Sequence, residues 1–124
     1  MNKPCLVAYV DDLYFQSQIE GVAKAKKLDF YFAMQGESLS QLVKNFSAFI
    51  LIVDLTGSNS DWIFRHISEI IGRDSTFPII GFISHVQEDV RARAEKYGCF
   101  KVFAKSELVK RLPDTMDQVL KKTG

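Results

Sequence analysis

Asp11, Asp12, Asp54, Ser84 and Lys105 have the side-chain types that phosphate chemistry needs, and each falls at the end of a short apolar run. In an open parallel sheet, ligands bind beyond the C-terminal ends of the strands, so run-ends of this kind gather at one rim. Three carboxylates held close there would repel one another unless a cation sat among them. Magnesium suits such a place: it is hard, prefers oxygen in octahedral geometry, and often keeps waters while using one or two carboxylates. An aspartate beside that ion can attack a phosphoryl donor, because the metal offsets the repulsion between two anions. The product would be an aspartyl phosphate on Asp54, with the Ser84 hydroxyl and the Lys105 ammonium as donors to its new oxygens.

The elements that must position these groups follow from periodicity. Short apolar runs alternate with stretches whose apolar residues stand three and four apart, which spells repeated strand–helix units. Strands are expected at Cys5–Val10, Asp29–Met34, Ala48–Val53, Pro78–Ser84 and Phe100–Ala104. Ala48–Val53 is continuously apolar, as a central strand covered on both faces should be, and it stops at Asp54. The helices between present Phe15, Ile19, Val22 and Ala23; then Leu39, Leu42, Val43 and Phe46; then Ile63, Ile67, Ile70 and Ile71; then Val86, Val90, Ala94 and Tyr97. Gly98 closes the fourth helix. The polar stretch from Thr56 to Ser60 reads as a loop. The last helix uses Leu108, Leu112, Met116, Val119 and Leu120, and Pro113 predicts a break near Leu112. The fold class is therefore α/β: a doubly wound five-stranded parallel sheet of order 2-1-3-4-5, flavodoxin-like, filling residues 1–124 as a single domain.

Composition narrows the functions. Sixteen basic against fifteen acidic residues give a net charge of +1, so no overall field draws the chain to nucleic acid or to an anionic membrane. The apolar runs fall well short of the roughly 20 residues that span a bilayer, and the N-terminus has no cleavable signal pattern; a cytoplasmic protein is expected. Cys5 and Cys99 are too few and too far apart for a zinc site and read as buried thiols.

The motifs resemble the response-regulator receiver domain of two-component systems, the chemotaxis-receiver-like type, over the span from Leu6 to Leu120. Val10-Asp11-Asp12 resembles that family's acidic pair after the first strand and Ile52-Val53-Asp54 its phosphoacceptor. Ser84 resembles its hydroxyl position, and Gly98 to Lys105 its glycine-to-lysine approach. The resemblance implies a phosphoacceptor at Asp54 served by Mg2+. Asp12 and Asp54 would bind the metal directly, Asp11 largely through water, and Thr56 through its backbone carbonyl. It also implies a histidine kinase or phosphotransfer protein as donor in a phosphorelay. An effector protein would meet the face made by the fourth helix, fifth strand and fifth helix, a face that also serves for homodimers. No enzyme is implied beyond an acceptor that phosphorylates itself.

The chain is an atypical member of that pattern. Ser106 stands where the family has proline after the lysine, and Val102 where it has an aromatic switch. Ile83 is an alternative to Ser84 for the hydroxyl position. A pseudo-receiver that signals through contacts alone is therefore the competing reading. A small enzyme fits less well: a flavodoxin wants a hydroxyl- and glycine-rich phosphate loop where Asp11-Asp12 stands, and a haloacid-type phosphatase wants an aspartate at Thr56.

Each group also has an ordinary reading. Asp11 or Asp12 can cap the first helix, and Lys105 can be a solvated strand end. His85 and His66 lack metal-ligand partners at suitable spacing. Phe15, Phe30, Phe32, Phe46, Phe49, Phe82 and Phe103 read as core, and Trp62 as a cover for the rim or a helix staple. Arg91, Arg93, Lys96, Lys101, Lys110 and Arg111 form a basic surface that either meets partners or is simply solvated.

Overall fold

The computed structural model describes residues 3–56, 60–84 and 88–123. Its elements are β1 (Cys5–Tyr9), α1 (Leu13–Ala25), β2 (Asp29–Phe32), α2 (Leu39–Asn45), β3 (Ile50–Asp54), α3 (Ser60–Arg73), β4 (Ile79–Ile83), α4 (Glu88–Tyr97), β5 (Lys101–Ala104) and α5 (Lys105–Thr123). The strands pair in parallel in the order β2-β1-β3-β4-β5, as expected.

Side-chain alternation along β3 divides the interior in two. Leu51 and Val53 pack with α2, α3 and α4 through residues such as Leu39, Val43, Ile63, Ile67 and Ala94. Ile50 and Ile52 pack with α1 and α5 through Phe15, Ile19, Leu112 and Met116. Because both faces are covered, every residue of β1, β3 and β4 is buried, which is why these strands read as unbroken apolar runs. Gly98 ends α4 at φ 113, with the Cys99 N–H donating back to the Ala94 carbonyl, a left-handed closure that glycine adopts without penalty.

Two expectations are corrected. The final helix has no break: α5 runs from Lys105 through Pro113 to Thr123. The apolar stripe Leu108, Leu112, Met116 and Val119 is fully buried along it, so packing holds the helix across the missing proline N–H. The Thr115 hydroxyl donates to the Arg111 carbonyl at 2.8 Å in the same turn. Phe46 is not core either. It is 41% exposed at the end of α2, and its ring stacks on Tyr31 with centroids 4.7 Å apart.

Gly81 in β4 matters to the rim because its missing side chain leaves room for Leu55, the residue after Asp54. A Cβ there would lie 2.5 Å from Leu55 Cδ1. Gly81→Ala should therefore destabilise the protein by about 1–3 kcal/mol, the usual cost of overpacking. Urea unfolding measures this, and an unchanged midpoint would show that Leu55 moves freely.

Candidate functional site

The C-terminal ends of β1, β3, β4 and β5 lead into Asp11-Asp12, Asp54, Ser84 and Lys105, so the topology brings these segments to one edge of the sheet. Asp54 is the last residue of β3 and is buried, 8% exposed. Its strand partner is Phe82, and partners in a parallel ladder face the same side of the sheet. A buried carboxylate needs hydrogen bonds. Asp54 Oδ1 accepts the Thr56 N–H at 2.9 Å and also the Thr56 hydroxyl, so the residue two positions on satisfies that oxygen.

Asp12 is the N-cap of α1. Its Oδ1 accepts the Tyr14 N–H at 2.8 Å and the Phe15 N–H at 3.3 Å, two of the donors that a helix start leaves unpaired. Asp11 is exposed beside it. Lys105 is the first residue of α5, and its Nζ sits 5.4 Å from the Phe15 ring centroid and 6.0 Å from that of Phe82. This is cation–π geometry. The ion pairs among the described residues are Lys24–Glu20, Lys26–Asp117 and Arg93–Asp61; Lys105 is in none of them.

Ile83 is the last residue of β4 and fully buried against the α2–α3–α4 side, which leaves exposed Ser84 as the nearest hydroxyl after that strand. Gly57, Ser58, Asn59, His85 and Val86 lie outside the described residues. Cys5 and Cys99 are buried free thiols, and burial pushes the Cys99 thiol up to about 12.

Oxygen donors of Asp11, Asp12, Asp54 and the Thr56 carbonyl are of the right chemistry for magnesium. Among the described residues no three of the His, Cys, Asp and Glu side chains are grouped to hold a metal ion. The two acids best placed for it each spend an oxygen on the protein's own N–H and O–H groups.

The basic surface is partly consumed inside the fold. Arg91 donates from Nη1 to the Val102 carbonyl at 2.9 Å, tying α4 to β5. Arg93 pairs with Asp61 at 2.8 Å and lies over the Phe64 ring, tying α4 to α3. Lys96, Lys101, Lys110 and Arg111 are exposed. Sequence reading missed both arginine ties, because side-chain reach between helices carries no periodic signal. Trp62 packs edge-on against Tyr9 and His66, walling a cleft of about 270 Å³ with Tyr9, Gln35 and Gly36.

No family model and no curated protein matches the sequence. Solved structures do match it. A CheY-like protein, TadZ, from Pseudomonas aeruginosa superposes with a TM-score of 0.80 at 12% identity, covering 94% of this chain and 98% of that one. The fold is the receiver fold. An orphan response regulator of H. pylori matches at 0.77 and 14% identity, covering 94% of this chain and 96% of that one. The beryllofluoride-activated NtrC4 receiver domain dimer matches at 0.80 and 15%, covering 97% and 98%. At these identities the shared property is the receiver architecture. No described helix is long and apolar enough to cross a membrane.

The capping role of Asp12 gives a stability prediction. Asp12→Ala should cost about 1 kcal/mol, and Asp12→Asn, which keeps the acceptor, should cost a few tenths. Equal losses for both variants in chemical denaturation would contradict the cap.

Proposed function

We propose that this chain is a signalling domain of the receiver type that acts through protein contacts and does not require a phosphoryl group to do so. The observation that carries this reading is the self-satisfied rim: Thr56 holds Asp54, the start of α1 holds Asp12, and Lys105 rests on aromatic faces. Two features of the output side support it. Ile83 is locked in the core where a switching hydroxyl is the alternative placement, and Val102, at the aromatic-switch position, has its carbonyl held by Arg91. The exposed lysines and Arg111 on α4, β5 and α5 then offer the contact surface, for an effector protein or for a second copy.

A second reading keeps Asp54 as a phosphoacceptor, because a buried carboxylate closes the central strand and Lys105 lies over Phe82, the strand partner of Asp54. In it, an Asp54 oxygen forms the new bond to phosphorus while the bond to the donor breaks and the donor leaves with its electron pair. The donor would be a histidine kinase, a phosphotransfer protein or a small phosphodonor, and Lys105 and Ser84 would meet the transferred oxygens.

Incubation with acetyl phosphate and magnesium, read by intact mass, separates the two. The contact-only reading predicts no phosphoryl adduct on the folded protein. An adduct that disappears in Asp54→Asn would replace it with the phosphoacceptor reading.

A further inference from the structure

On α3, His66, Glu69 and Arg73 recur at spacings of three and four, so they share one helical face, and all three reach the same residue of α2. His66 Nδ1 accepts the Ser40 N–H at 3.4 Å, Glu69 accepts the Ser40 hydroxyl at 2.8 Å, and Arg73 donates to the Ser40 carbonyl at 2.8 Å. Ser40 and His66 are both buried. The contact has a reason in helix physics. Ser38 caps α2, and its hydroxyl takes the Gln41 N–H, which leaves the Ser40 N–H among the first-turn donors that no helical carbonyl reaches. His66 supplies that acceptor from the neighbouring helix.

We propose that His66 is a pH-sensitive latch between α3 and the start of α2: neutral, it accepts the Ser40 N–H, and on protonation it lets go. A proton taken from water occupies the Nδ1 lone pair that the Ser40 N–H had used. The imidazolium is then a donor facing a donor, at the positive end of α2. The charged groups that act on the ring come from its own helix: Glu69 favours the charged form, and Arg65 opposes it. From α2 it meets the Ser40 N–H, and Trp62, edge-on at 4.6 Å between centroids, connects it to Tyr9 of β1. Burial dominates and holds the imidazole below its ordinary value of 6.5. The sign follows: the unfolded chain takes up the proton first as pH falls, so the latch contributes fully above pH 6.5 and loses its contribution below it. Glu69 and Arg73 keep α2 docked, so opening loosens the first turn and leaves the sheet intact.

Trp62 is the only tryptophan in the sequence, and it touches the latch, so it reports the change directly. The experiment follows its emission, the His66 imidazole resonance and exchange of the Ser40 amide against pH, in the wild type and in His66→Asn, whose side-chain oxygen keeps an acceptor near the Nδ1 position without titrating. The latch predicts one common midpoint below 6.5 in the wild type, Ser40 protection, taken relative to the intrinsic exchange rate at each pH, lower on the acid side by up to about tenfold, as loss of one hydrogen bond allows, and no such transition in His66→Asn. An imidazole midpoint at or above 6.5, a Ser40 protection factor that does not change with pH, or a transition that persists in His66→Asn would overturn it. The imidazole resonance of the wild type decides even if the variant folds poorly. None of these readouts depends on whether Asp54 accepts a phosphoryl group.

Discussion

A carboxylate at the buried end of an apolar strand must be hydrogen-bonded, and at Asp54 that requirement governs the rim. β3 carries no polar residue before Asp54, both of its faces are covered, and the chain turns to solvent only after Leu55. Leaving such a charge without partners would cost several kcal/mol. The protein meets the demand from within, through the N–H and hydroxyl of Thr56. Asp12 is treated in the same way by the first turn of α1, and Lys105 by two aromatic rings. Asp12, Asp54 and Lys105 thus each have a partner within the fold.

The same economy appears on the output side. Arg91 and Arg93 fasten α4 to β5 and to α3, so a helix of poor apolar content, with Ala94 as its one buried residue, is held by guanidinium contacts. Exposed ion pairs contribute little on average, but Arg93 also stacks over Phe64, which removes apolar surface from water as well as charge. Signal transfer through such a face would rely on the surface it presents.

The fold was legible because doubly wound sheets write themselves into periodicity. Continuous apolar strands, helical spacing between them and glycine at Gly98 led to the observed strand order and closely to the element bounds. Strand ends were read one or two residues long at Val10, Met34, Ala48, Pro78, Ser84 and Phe100, and one residue short at Val53, since composition does not mark where ladder hydrogen bonding stops. Pro113 misled because local propensity predicts a break that a buried stripe overrides. Phe46 misled because its spacing is helical, but α2 ends beneath it and turns the ring outward. The rim residues lie at or just beyond the strand ends, where the periodicity placed them. The capping contact of Asp12 was among the readings of the sequence, whereas the Thr56 contact of Asp54 was not, because it depends on rotamers that spacing does not encode. The His66–Ser40 contact was likewise invisible, joining residues 26 apart.

The most direct test of the self-satisfied rim is a high-resolution crystal structure of the wild-type protein grown in magnesium. The account predicts the Thr56 hydroxyl on Asp54, Asp12 capping α1, and no ion between them. An ordered magnesium bound by Asp12 and Asp54, with the Thr56 hydroxyl turned away, would contradict it.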